Sequence, residues 1–401
     1  MRDERRYITR WLSGMLMLLL LLFTACSKSS EGGDEPEPDK KKPVLKVYVF
    51  APDRPVVTRA DGGDVDATAE ENEIHSLHVW VFENHTKAED PKKEDDGKFV
   101  GHVALTNVAL SEAGSEVSMD ISDDFAENKP NVDVYVAANV TSSNSGLSLD
   151  AYTDRATLEG ATIKSGYFGV SPLITSVPGD GLPMSGVLKD QMVSGSSPVL
   201  RVGPESGGLS NVRLVRAVSK IRFVFSKSSK NTDNLTVNSI KLDNSVLPNE
   251  EYLFLDGAYP TNRYKVKTTG DYVTQTELIS NIDGTTIKVN DSPAAYSYDE
   301  ATMTSQDYED KINNGIKEEK LSELGHYYLR ESDKKVTGKV TYTIGTTKRT
   351  VAFQTESADD FSRNHTWIVY GYFVSSGNLL VSMVEIKNWM NIDTPQEVYN
   401  W

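Results

Sequence analysis

The sequence predicts an all-β protein: two β-sandwich domains in tandem, placed behind an export leader and a tether. Three observations carry that expectation. Short runs in which apolar and polar residues alternate recur along the chain, with the period of a strand that buries one face. Long polar stretches rich in turn residues separate these runs, as in sandwiches rather than α/β folds. Roughly 360 residues follow the leader and tether, more than one domain usually holds.

Taken in order, Arg2, Arg5, Arg6 and Arg10 form a basic start, and residues 11–23 form a leucine-rich apolar run. That run is shorter than the about 20 residues a membrane span needs, so residues 1–25 read as an export signal. Thr24 and Ala25 stand directly before Cys26. This resembles the lipobox of bacterial lipoproteins, in which the leader is removed and the cysteine is acylated. Cys26 is the only cysteine, which excludes an internal disulfide. Acyl chains there, at roughly 0.8 kcal/mol per buried methylene, would anchor the chain to a membrane. The following SKSSEGGDEPEPDKKKP is too polar to offset its ordering entropy, so residues 26–43 read as a flexible tether.

The first strand is expected at 44–51, where Leu45, Val47, Val49 and Ala51 alternate with Lys46, Tyr48 and Phe50. It leads to Arg59 at the mouth of the acidic stretch ADGGDVD, an exposed-loop composition that proteases enter. Further strands are expected at 76–82, 99–105, 131–140, 219–225, 235–242, 338–345, 366–374 and 379–389. Asp96-Gly97, Leu247-Pro248-Asn249 and Ser376-Gly377-Asn378 supply turns between some of them. A helical pattern covers 305–324, weakened by Gly315. The Gly-, Ser- and Pro-rich stretch SGSSPVLRVGPESGGLSNV (194–212) reads as the connection between domains, giving 44–205 and 206–401. Beyond the last strand, Ile392, Val398 and Trp401 continue a shorter apolar pattern that Pro395 interrupts.

A formal charge of −16 argues against nucleic acid as a partner, because phosphate binding needs clustered Lys and Arg. The sequence contains no HExxH, GxSxG, phosphate-binding loop or CxxC pattern. His75 and His78, three apart on an expected strand, point to opposite faces and make a poor metal pair. DGGDVD (61–66) offers oxygen ligands without the spacing or closing Glu of a calcium loop. Trp80, Tyr135, Trp367, Tyr370, Tyr372 and Trp389 sit inside strand patterns, where aromatic side chains pack between sheets more often than they bind sugars. No catalytic residue, cofactor or metal is expected.

Several features in order resemble one family. A lipobox, a strand, Thr58-Arg59-Ala60 with an acidic loop, and EIHSLHVWVF look like the start of a Bacteroidales fimbrillin, a FimA-like subunit of type V pili. GLPMSG (181–186), LVRAVSKIRF (214–223), RNHTWIVYGYF (363–373) and VEIKNW (384–389) are similar to that family in kind and order. The resemblance implies that the two sandwiches are transthyretin-like. It also implies a lipoprotein precursor on the outer membrane, lipidated at Cys26. An arginine-specific or trypsin-like protease would cut between Arg59 and Ala60, releasing residues 44–59. A C-terminal strand from the next subunit, carried by Val384, Ile386, Trp389, Ile392, Val398 and Trp401, would fill the vacated place. The implied partners are copies of the chain, other pilus subunits, the protease and a host surface ligand. A pilus tip or anchor adhesin is the neighbouring alternative, and a surface glycan-binding lipoprotein is an alternative of another class.

Overall fold

The computed structural model describes residues 41–50, 69–86, 92–110, 114–145, 149, 154–163, 174–204, 210–255, 271–274, 276–358 and 360–386. In chain order the strands are β1 (Val44–Phe50), β2 (Ser76–Asn84), β3 (Phe99–Thr106), β4 (Ser115–Asp120), β5 (Asn131–Ala138), β6 (Thr162–Ile163) and β7 (Met184–Gln191). The next are β8 (Val193–Ser196), β9 (Val199–Val202), β10 (Asn211–Arg213), β11 (Val215–Arg216), β12 (Ser219–Lys227), β13 (Leu235–Leu242) and β14 (Glu251–Tyr252). The last are β15 (Thr276–Asp283), β16 (Ser322–Leu329), β17 (Thr337–Ile344), β18 (Thr347–Gln354), β19 (Thr366–Phe373) and β20 (Leu379–Ile386). Each strand expected from the sequence is present, within a few residues at its ends.

The strands form two pairs of sheets. In the first pair, β9 and β10 flank β1 on one side and β4 on the other, with β8 outside β9; the partner sheet runs β11-β7-β5-β2-β3. Leu45, Val79, Val81, Val136, Leu200 and Val212, all without solvent exposure, belong to the core shared by these sheets. In the second pair the orders are β16-β12-β19-β20 and β15-β13-β17-β18, around Ile221, Phe223, Val237, Val340, Tyr342 and Val369. Alternation places these side chains inward: in β17, Val340 and Tyr342 are buried while Lys339, between the two buried positions 338 and 340, is exposed.

β12 and β19 are buried on both faces, because the helix Ser305–Lys317 covers the far side of their sheet. Tyr308 and Ile312 of that helix cluster with Val224, Ile368, Tyr370, Val384 and Ile386. Thr304 caps it, accepting from the Asp307 amide while the Asp307 carboxylate accepts from the Thr304 amide. Gly315 fits within the helix for a packing reason: a Cβ there would lie 2.6 Å from Tyr296 and 2.7 Å from Leu321. The helix ends at Lys317, and the rest of the stretch expected to be helical opens into β16.

The stretch 194–212, expected to connect two domains, is structural in its own right. β8 and β9 form an antiparallel hairpin, and β9 and β10 both pair with β1. Gly195 serves the hairpin: with φ of 96°, it adopts a backbone that suits glycine. β10 and β11, beyond residue 205, still belong to the first sheet pair, and the second begins at β12.

A strap crosses between the pairs after β13. β14 pairs with β6, and Leu253 and Phe254 enter the first core, where Phe254 meets Trp80 and Tyr135 edge to face. From the other side Arg363 donates to the carbonyls of Tyr252 and Leu253 and pairs with Glu331 at 2.6 Å. Arg330 donates to the carbonyls of Pro248 and Asn249.

Candidate functional site

β1 is an interior strand. On one side it runs antiparallel to β4, from Val44 opposite Asp120 to Val49 opposite Ser115. On the other it is parallel to β9 over Val44–Lys46 and to β10 over Tyr48–Phe50. The order of these pairings places β9 and β10 end to end along that side. Its ends are also held: the Val44 amide donates to Pro198 O at 2.9 Å, and Leu214 donates to Phe50 O at 3.3 Å.

The two faces of β1 divide as the sequence expects. Leu45, Val47 and Val49 are fully buried, each worth roughly 1.5–3 kcal/mol of apolar burial. On the outer face, Lys46 Nζ lies 2.7 Å from Glu116 Oε1, and the Tyr48 hydroxyl donates to Glu116 Oε2 at 2.8 Å. The hydrogen bond from Lys46 holds the Glu116 carboxyl below the usual carboxylate range and raises the Lys46 ammonium. The ring of Phe50 lies over Gly114, where a Cβ would come within 2.6 Å of it. Without β1, two rows of ladder groups and an apolar floor would be left without partners. An added strand of the same direction could satisfy both.

Ala51, Arg59 and Ala60 lie outside the described residues, as do Cys26, Trp389, Ile392, Val398 and Trp401. Val384 and Ile386 are described, and they are occupied. Both lie in β20, paired with Ile368 and Thr366 of β19, and both are buried beneath the helix. The sequence did not single out the walls of the slot, β4, β9 and β10. Their local signal is the short alternation Val117, Met119 in β4 and Leu200, Val202 in β9, two apolar positions each.

The histidines also find places. His75 precedes β2, and its amide donates to Asn139 Oδ1 at 2.8 Å. His78 Nδ1 lies 3.2 Å from His102 Nε2 across β2 and β3, with Trp80 beside both rings. Among the described residues no three His, Cys, Asp or Glu side chains are grouped to hold a metal ion. DGGDVD (61–66) lies outside the described residues.

Comparison with known proteins places these features in context. The family model for the major fimbrial subunit protein (FimA) matches residues 44–290. No curated protein sequence matches the chain. Among solved structures, the chain is similar to the C-terminally truncated tip fimbrial protein Mfa3 of Porphyromonas gingivalis. Identity is 14%, coverage is 86% of this chain and 99% of that one, and the TM-score is 0.46. A fimbrial assembly protein of Parabacteroides distasonis matches at 14% identity over 85% and 98% of the two chains, TM-score 0.43. The fimbrial anchor protein Mfa2 of P. gingivalis matches at 9% identity over 85% and 97%, TM-score 0.39.

Proposed function

Because the chain belongs to the family of the FimA major fimbrial subunit protein, we propose that it is a structural pilus subunit assembled by protease-triggered strand exchange. In this reading the chain is exported as an outer-membrane lipoprotein on Cys26 and cut between Arg59 and Ala60 outside the cell. β1 then leaves, and a C-terminal segment of the next subunit takes its place in an extracellular fimbrium. The two sheet pairs act as the tandem domains of the subunit.

The observation that carries the reading is the position of β1. A strand with neighbours on both sides puts three fully buried side chains into one core, yet it is the first strand described. A single cut beyond it frees it from the rest of the fold. Arg54 competes poorly as the cut site because Pro55 follows it, and Lys46 is engaged with Glu116 inside the strand. Since Val384 and Ile386 are committed to the subunit's own sheet, the donor is read as residues 387–401. Donor and acceptor surfaces differ, so each contact is head to tail and the assembly is open-ended.

Limited trypsin treatment of purified protein tests this. The expected result is cleavage at Arg59 followed by filaments in electron micrographs. Arg59→Ala is expected to block both while leaving the denaturation midpoint unchanged. Cleavage at Arg59 with the product still monomeric would overturn the reading.

A further inference from the structure

We infer that the turn Ala69–Asn72 is a latch that confines the release of β1 to the first sheet pair; the inference rests on the strand-release reading above. Residues 60–68 separate the proposed cut from this turn. Glu71 has no solvent exposure, and its Oε1 accepts from Lys220 Nζ at 2.7 Å and from the Tyr328 hydroxyl. Those donors stand on β12 and β16 of the second sheet pair.

Arg216, fully buried on β11 of the first pair, closes the arrangement. Its Nε donates to Glu71 O at 3.1 Å, its Nη2 to Asn72 Oδ1, and its Nη1 at 2.9 Å to Asn364 Oδ1, just ahead of β19. One turn is therefore bonded to strands of both sheet pairs. Burial pushes the Glu71 carboxyl up, but Lys220, Tyr328 and Arg216 outweigh burial and hold it below the usual range. A buried charge that loses its partners is strongly destabilising, so the turn resists being drawn out with the strand before it. Immediately afterwards Asn139 receives the His75 amide and donates to Glu73 O, both at 2.8 Å, which fixes the entry into β2.

The latch bonds of Glu71 and Arg216 run to Lys220, Tyr328, Asn72 and Asn364. β1 is held by β4, β9 and β10, with Pro198 and Leu214 at its ends. After the proposed cut, β10 still leads from β1 toward the latch by way of β11, and β11 is pinned by pairing Arg216 with Met184 of β7. The departure of β1 leaves the bonds from Glu71 to Lys220 and Tyr328 in place, and the second sheet pair keeps that attachment while the first is open.

Hydrogen exchange read by mass spectrometry, on the whole protein before and after trypsin, tests this. In the wild type, cleavage is expected to leave exchange at 69–75 and 219–227 within about twofold of the uncut protein. Glu71→Gln is expected to raise exchange in both segments by about tenfold or more, in the uncut protein as well as the cut one. Tyr328→Phe, which removes one donor only, should give a smaller rise in the same segments and serves if Glu71→Gln fails to fold. Opening of both segments in the cut wild type, or no rise in either variant, overturns the latch. Failure of the strand-release reading registers separately, as no loss of the fragment ending at Arg59 by intact mass.

Discussion

Two buried glutamates show how neighbours decide whether burial prevails in setting the charge of a side chain. Glu71 and Glu251 are both without solvent exposure. Glu71 has Lys220, Tyr328 and Arg216 around it and stays ionised. Glu251 has one oxygen on the Glu331 amide at 3.1 Å, while its Oε1 has no hydrogen-bond partner among the described residues. Burial pushes the Glu251 carboxyl well above its usual range; Arg363 pulls it back, and the nearby Glu331 carboxylate pushes it up further. The two therefore act on stability with opposite sign. For Glu71 the folded value lies below the unfolded one, so its contribution is present at neutral pH and is lost as pH falls through the folded value. For Glu251 the folded value lies above, so its contribution is full below the ordinary carboxylate range and is lost as pH rises through the folded value. Glu251→Gln should then flatten the decline in stability between about pH 4.5 and 8. Urea denaturation across that range checks this, with an unchanged slope as the opposing result.

At the scale of elements, the hairpin β8–β9 separates what local pattern can report from what it cannot. A residue in a loose connection tolerates substitution within about 0.5 kcal/mol. Leu200 is fully buried in the first core beside β1, across from Leu45. Leu200→Ser should therefore cost about 2–5 kcal/mol, the range of large-to-small core changes, seen as a lowered denaturant midpoint. The same contrast explains how far the sequence could be read. The long alternating strands were legible because each carries three or more inward apolar residues, and Leu45, Val47 and Val49 were legible for that reason. β4, β9 and β10 were not, since each is short and its meaning lies in its partner. Phe50 faces Arg213, a pairing that no local window contains. Glu71, Arg216 and Lys220 look like ordinary surface charges until the chain brings them together. β20 was legible as a strand, but its burial beneath the helix follows from tertiary packing alone.

The whole molecule, in the proposed function, has one acceptor slot in the first sheet pair and one donor segment at its C-terminal end. Acceptor and donor are different parts of the chain, so growth requires both on every copy, and a copy that lacks one of them ends a filament at one side only. Truncation after Ile386 keeps β20 with its Val384 and Ile386 in place, so the subunit is expected to fold with an unchanged midpoint. After trypsin its slot is open but it has nothing to donate. Arg59→Ala is the opposite cap, with a donor segment and a closed slot. Either variant alone should stay monomeric after trypsin. A mixture of the two should reach dimers at most, because the truncated copy accepts and the uncut copy donates once. At one capping copy per about ten wild-type copies, mean filament length should fall to about ten subunits. Electron microscopy measures the lengths, and size-exclusion chromatography with light scattering measures the dimer. Filaments from the truncated protein alone would place the donor elsewhere in the chain. A truncated and Arg59→Ala mixture that stays monomeric would mean that strand and slot do not meet.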